Sequence, residues 1–156
     1  MKRSRQLKAI PSAVPRAWQR EVARILIPQA ELAKRVRLLA RQIEDDYRGG
    51  ELVIVALLTG TILFLADLIR CLNLPLRLDF LGVSSYGLAT KSRTLTYTKE
   101  LRLDVRGRDV LIVDDILDTG RTLASVLNKL RRLKPKRLRI CVLLDKPSRR
   151  IVNVTA

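Results

Sequence analysis

Three aspartates, two threonines, a glycine and an arginine fall within nine consecutive residues, 114 to 122. Asp114 and Asp115 are adjacent, Asp118 follows, and Thr119, Gly120, Arg121 and Thr122 run on without a break. The stretch Val110 to Val113 just before them is wholly apolar, as a strand buried on both faces is. After them, Leu123, Val126, Leu127, Leu130 and Leu133 recur at helical spacing. A strand that discharges through acids into a helix start leaves free backbone N–H groups around residues 119 to 122. Hydroxyls and the helix dipole add to that anion site, and Gly120 lets a phosphate come close to the backbone. Asp114 and Asp115 would repel such a phosphate unless engaged elsewhere. Sugar hydroxyls, bound directly or through Mg²⁺, suit them. Phosphate beside acids describes a phosphorylated sugar. A Walker-type nucleotide site needs GxxxxGK followed by Ser or Thr, and that string does not occur. A purely structural account, with the acid pair opening a turn and Asp118 or Thr119 capping a helix, explains an isolated pair but not the whole string.

Other chemistry is bounded by what is missing. The chain has no histidine, which excludes a Ser-His-Asp triad, a Cys-His pair and histidine metal sites. Proton transfer must use carboxylate, Lys, Tyr or water. The two cysteines, Cys71 and Cys141, cannot build a four-ligand zinc site; their apolar surroundings predict buried, reduced thiols.

The elements that must position these residues follow from the pattern. Leu32, Val36, Leu39 and Ile43 predict a helix from about Gln29 to Tyr47, stopped by the RGG at 48–50. ELVIVALL at 51–58 reads as a buried strand, Leu58-Thr59-Gly60 as the turn, and ILFLADLIR as the next helix. Leu76 to Val83 is a second strand. Ser84 to about Lys99 is hydroxyl-rich and poor in core residues, so it is either a mobile functional loop or an exposed hairpin. DVLIV at 109–113, a helix from about Thr122 to Leu133, and RLRICVLL at 137–144 complete the series. The order predicts an α/β fold with a mainly parallel sheet and helices on both faces. Ligands then belong at the carboxyl ends of the strands. Residues 1–21 are basic, carry Pro11 and Pro15, and are expected to form an arm; residues 22–156 form one domain.

The string 110–122 closely resembles the phosphoribosyl-pyrophosphate signature of type I phosphoribosyltransferases. VSSYG at 83–87, KELRLDVRGRDVLIVDD, LLDKPSRR at 143–150 and ILIPQAELAKRVRLLARQIEDDY resemble further landmarks of the hypoxanthine/guanine branch, over about Ile25 to Val154. The resemblance implies a mobile catalytic loop on a type I core. It implies that Asp114 and Asp115 hold the ribose hydroxyls and, through water, the Mg²⁺ shell. Asp118 matches the candidate general base, and Thr119 to Thr122 the 5′-phosphate cradle. Lys146 matches the lysine that hydrogen-bonds the purine 6-oxo group; a donor-only side chain favours a carbonyl over the amino group of adenine. Leu58, Thr59 and Gly60 match the turn that receives pyrophosphate, with Thr59 standing where the family often has a basic or amide side chain. Ser85 and Tyr86 match the dipeptide that closes over the reaction. The implied partners are phosphoribosyl pyrophosphate and a 6-oxopurine base, with Mg²⁺ as cofactor and IMP or GMP as product. Where the family continues past VNV into a hood with a purine-stacking aromatic ring, this sequence stops at Thr155-Ala156, so the resemblance implies a C-terminally truncated domain.

Composition fits an anionic ligand and leaves other readings open. Lys and Arg number 31 against 15 Asp and Glu, a formal charge of +16. Seven cations between Lys129 and Arg139, with no acid from Thr119 to Leu144, read as a solvated helix face, as steering for a polyanionic substrate, or as an RNA-binding surface. RNA is the less favoured partner, because aromatics are only 4% and no stacking platform is visible. An RNA-binding attenuator on the same fold and an inactive truncated subunit are the rival classes. No run is long and apolar enough for a membrane span and no secretory signal is recognisable, so a cytoplasmic protein, expected to be a homo-oligomer, is the reading.

Overall fold

The computed structural model describes residues 14–18, 20–86 and 94–156, with Arg16, Ser85, Tyr86 and Thr94 described by their backbone alone. Most of the expected basic arm therefore lies outside the described residues, as does the 87–93 part of the expected catalytic loop.

Five strands form one sheet. β1 (Leu52–Leu58), β2 (Leu76–Tyr86), β3 (Thr94–Lys99), β4 (Asp109–Leu117) and β5 (Arg137–Asp145) lie in the order β3-β2-β1-β4-β5. β1, β2, β4 and β5 are parallel, and β3 adds to β2 antiparallel. Three helices, α1 (Gln29–Asp46), α2 (Ile62–Ile69) and α3 (Arg121–Arg132), cover the faces. The alternation along each central strand decides which helix meets which residue. Leu52, Ile54, Ala56, Leu111, Val113 and Cys141 pack beneath α1 and α2, with Val36, Leu39, Ile43, Phe64, Leu65 and Leu68. Val53, Val55, Val110, Ile112, Ile140 and Val142 pack beneath α3, with Leu123, Val126 and Leu130. β1 is buried on both faces because it is central, which is why its sequence is continuously apolar.

Several expectations are corrected. β4 does not stop at Val113; Asp114 pairs with Val142, Ile116 with Leu144 and Leu117 with Asp145, so the ladder carries both acids inside the strand. Backbone pairing to β5 outweighs the turn-forming habit of an Asp-Asp pair. Of the two readings for 84–99, the described parts are hairpin arms, with Ser85 opposite Leu95 and Tyr86 opposite Thr94. Cys141 is buried, but Cys71 is exposed, because it lies after the last turn of α2 and not on its inner face. Leu133 is 41% exposed, since α3 ends one residue earlier and its side chain leaves the inner stripe. The basic stretch is partly structural: Arg137 forms a two-point ion pair with Asp109, Arg139 reaches Asp46, and Lys129 reaches Glu100 while lying 4.1 Å over the Tyr97 ring. Arg131, Arg132, Lys134 and Lys136 are exposed.

Asp79 ties the hairpin to the sheet. Its carboxylate is buried and accepts from the N–H groups of Phe80, Arg102 and Leu103 at 2.7, 2.5 and 2.9 Å and from Lys99 Nζ at 3.0 Å. Burial works to raise its pKa, but the Leu103 and Arg102 N–H groups, the Lys99 ammonium and the Phe80 N–H outweigh it and hold the carboxyl at about 2. A carboxyl depressed on folding stabilises the fold above its ordinary pKa and loses that contribution as pH falls toward 2. Asp79→Asn is therefore expected to cost about 2 kcal/mol at pH 7, or about 4–8 °C in melting temperature. The difference from the parent chain should shrink as pH falls from 4 toward about 2; a melting temperature unchanged at pH 7 would contradict this role.

Candidate active site

The parallel strands bring their carboxyl ends to one pole of the sheet, and three segments meet there. The first is the turn from β1 to α2. Thr59 and Gly60 are exposed, the Leu58–Thr59 peptide is cis, and Thr59 O accepts from Ile62 N at 3.3 Å. The second is the end of β4 and the start of α3. The third follows β5, where Lys146 N donates to Leu117 O at 3.0 Å. Gly60 packs so closely on the second segment that a Cβ there would stand 2.8 Å from Asp115 Oδ2.

Gly120 has φ +83° and caps the start of α3. A Cβ at this position would lie 2.4 Å from Val152 O and 3.2 Å from Arg150 Cδ, so both the backbone angle and the contact demand glycine. Ala124 N donates to Gly120 O at 2.9 Å as the first helical bond, so the N–H groups of residues 121 to 123 precede it and face outward from the helix end. Thr119 Oγ1 accepts from Arg121 N at 3.5 Å, a long bond that leaves the hydroxyl available. These groups belong to the stretch Thr119 to Thr122, where the sequence predicts an anion-binding loop.

The acids differ in environment. Burial, and then the neighbouring Asp115 carboxylate, push the Asp114 carboxyl up to about 7. Its Oδ1 accepts from Asp115 N at 3.0 Å. Asp118 Oδ1 is buried without a hydrogen-bond partner among the described residues; Arg149 Nε stands 3.3 Å away as an ion contact without hydrogen-bond alignment. Three of the four such orphaned side-chain oxygens, on Asp118, Thr61 and Ser84, lie toward this pole of the sheet. Buried oxygens of this kind need a partner, which water, an ion or a ligand can supply.

Asp118 and Lys146 come together through the sheet, since Leu117 pairs with Asp145 and each functional residue stands one position beyond. Ser85 and Tyr86 lie three and four residues past Gly82, the β2 partner of Leu58, so the backbone carries them beyond the end of β1 at the same pole.

A family model described as the phosphoribosyl transferase domain matches residues 24–155. The chain belongs to the phosphoribosyltransferase family. Within it, the chain is 47% identical over 133 residues to a hypoxanthine phosphoribosyltransferase of Salmonella typhimurium, covering 83% of this chain and 75% of the relative. A hypoxanthine-guanine phosphoribosyltransferase of Aquifex aeolicus is 43% identical over 85% of this chain and 76% of its own length. Among solved structures, a hypoxanthine phosphoribosyltransferase of Staphylococcus aureus superposes with a TM-score of 0.84 at 35% identity, covering 90% of this chain and 77% of that one. The Trypanosoma cruzi enzyme in complex with the product IMP superposes with a TM-score of 0.78 at 38% identity, over 85% of this chain and 75% of that one. This places the chain among phosphoribosyltransferase enzymes of the hypoxanthine/guanine branch. The attenuator and inactive-subunit readings receive no support from these comparisons.

Sequence reasoning did not single out two residues that the structure places against Asp118, Arg149 beside its carboxylate and Arg150 beneath its carbonyl. The signal available was the pair of adjacent cations four and five residues after β5, in a segment that returns to Asp118. No helix among the described residues is long and apolar enough to cross a membrane.

Proposed function

We propose that the protein transfers the phosphoribosyl group of phosphoribosyl pyrophosphate to hypoxanthine or guanine, giving IMP or GMP and pyrophosphate. The observation that carries this reading is that Asp118 and Lys146 each stand one position past the last β4–β5 pair, Leu117 with Asp145, next to the loop of Thr119, Gly120, Arg121 and Thr122. The loop holds the 5′-phosphate through its N–H groups and hydroxyls. Lys146 donates to the 6-oxo group of the base. As the purine ring nitrogen bonds to the anomeric carbon and the bond to pyrophosphate breaks, Asp118 accepts the proton that the base gives up. The Leu58-Thr59-Gly60 turn receives pyrophosphate through backbone N–H groups and the Thr59 hydroxyl. Ser85 and Tyr86 close over the reacting centre and exclude water.

Asp114 and Asp115 suit the ribose hydroxyls and a magnesium ion. Two carboxylates with one pushed up to about 7 form a site short of positive charge. A hard cation of this kind is held by one or two carboxylates, water and substrate oxygens. When bound, Mg²⁺ supplies positive charge against the leaving pyrophosphate. Cytoplasmic residence and homo-oligomerisation belong to the same proposal.

The test is nucleotide formation from phosphoribosyl pyrophosphate and Mg²⁺ with hypoxanthine, guanine or adenine. Turnover of the 6-oxopurines with adenine refused is the expected result. Lys146→Gln should raise KM for hypoxanthine about ten- to a hundredfold and leave KM for phosphoribosyl pyrophosphate within about threefold. Equal use of adenine and hypoxanthine would remove Lys146 from base selection.

A further inference from the structure

Arg150 has no part in the reaction as proposed, yet its guanidinium is the hub beneath the β4–α3 loop. Its side chain is 19% exposed, against 58% for Arg149 beside it. Nε donates to Asp118 O at 3.1 Å, one terminal nitrogen to Leu117 O at 3.2 Å, and the other to Val154 O at 3.0 Å. The nitrogen on Leu117 O also pairs with the Asp145 carboxylate. Next to it, Ile151 N and Val152 N both donate to Thr119 O at 3.0 Å. The carbonyls of three consecutive residues, Leu117, Asp118 and Thr119, are thus all drawn toward residues 146 to 152.

Peptide planarity turns this into a statement about the other side of the loop. In a trans peptide the C=O of one residue and the N–H of the next point in opposite directions. With the three oxygens held toward the 146–152 segment, the N–H groups of Asp118, Thr119 and Gly120 are directed away from it. Successive N–H groups facing one way form an anion-binding concavity. The same constraint fixes the backbone on both sides of the Asp118 Cα, and with it the Cα–Cβ direction from which the carboxylate is presented.

We propose that Arg150 is a positioning residue for phosphoribosyl transfer. By clamping the Leu117 and Asp118 carbonyls, it orients the Asp118 carboxylate toward the base and the neighbouring N–H groups toward the 5′-phosphate. The inference rests on the roles given above to Asp118 and the phosphate loop. It differs from a general packing role in one respect: its effect passes through Asp118 and the phosphate, and not through global stability.

Arg150→Lys keeps the charge and loses the fork of donors that spans two carbonyls and a carboxylate. The expected result is kcat lower by about ten- to a hundredfold, and the upward shift in melting temperature given by ribose 5-phosphate reduced by at least about half, with the unliganded melting temperature moved by less than about 4 °C. In the double variant with Asp118→Asn, the loss in kcat should be about that of Asp118→Asn alone, because the two residues act as a unit. Where Arg150→Lys does not fold, Arg150→Ala with added guanidinium ion provides the test, and recovery of activity is expected. Wild-type kcat with full ribose 5-phosphate protection in Arg150→Lys would overturn the proposal, as would multiplied losses in the double variant or a folded Arg150→Ala that guanidinium does not rescue. Failure of the enzymatic reading is separately visible: the parent chain would then show no turnover, and loss of ribose 5-phosphate protection in Arg150→Lys would still decide the positioning of the phosphate loop.

Discussion

Asp118→Asn should fold like the parent chain and turn over about 10²- to 10⁴-fold more slowly, the range that a positioned general base contributes. The substitution keeps the shape of the side chain and removes only its capacity to take a proton. Asp118 Oδ1 has no hydrogen-bond partner to lose among the described residues, and its one close cation, Arg149 Nε at 3.3 Å, is 58% exposed and free to return to water. Stability should therefore change little, because an exposed ion pair contributes only about 0–1 kcal/mol. The phosphate loop begins one residue later and binds through backbone groups, so KM for phosphoribosyl pyrophosphate should stay within about threefold. Steady-state kinetics with hypoxanthine, alongside thermal melting with and without phosphoribosyl pyrophosphate, separates these effects. A kcat within about fivefold of the parent would remove Asp118 from proton transfer.

Asp114→Asn should have the opposite profile, gaining stability and losing substrate. The Asp114 carboxyl is pushed up to about 7 by burial and by Asp115, well above its ordinary value of 3.8. Below pH 4 the group is protonated in both folded and unfolded chains and contributes no pH dependence. Between about 4 and 7 the unfolded chain ionises while the folded one retains its proton, so stability falls as pH rises; above 7 the loss is constant. Asparagine removes that burden and its side-chain oxygen can still accept from Asp115 N. The gain should be on the order of 2–4 kcal/mol at pH 8, about 5–10 °C in melting temperature, and should vanish near pH 4. Affinity for phosphoribosyl pyrophosphate with Mg²⁺ should fall about ten- to a hundredfold, the worth of hydrogen bonds to a charged group. An unchanged or lower melting temperature at pH 8 would show that the acid pair is no electrostatic load on the empty site. A stabilised protein that binds poorly is the behaviour expected where function keeps like charges together.

The sequence by itself determined the layer plan and the placing of the 114–122 string between a buried strand and a helix start. Continuous apolar runs at 52–58 and 110–113 marked central parallel strands, because only a strand covered on both faces can be apolar at every position. Helical spacing marked α1 and α3 for the same reason of face burial. The helix start after Asp118 was legible because a glycine between a strand and an apolar helical stripe is a local signal, and local backbone follows local sequence. What lay beyond the sequence depended on contacts between distant segments. The acids stand inside β4 because β5 keeps pairing as far as Asp145. Cys71 is exposed because α2 ends before it. Gly60 is packed on by Asp115, 55 residues away, and Gly120 must be glycine because its φ is +83° and the Val152 carbonyl lies against it. Asp118 and Lys146 become neighbours only when two parallel strands come into register, and Arg150 becomes a clamp only when the segment after β5 folds back under the loop. Residue type states which bonds a side chain can make; the long-range register of the sheet decides which partners are within reach to make them.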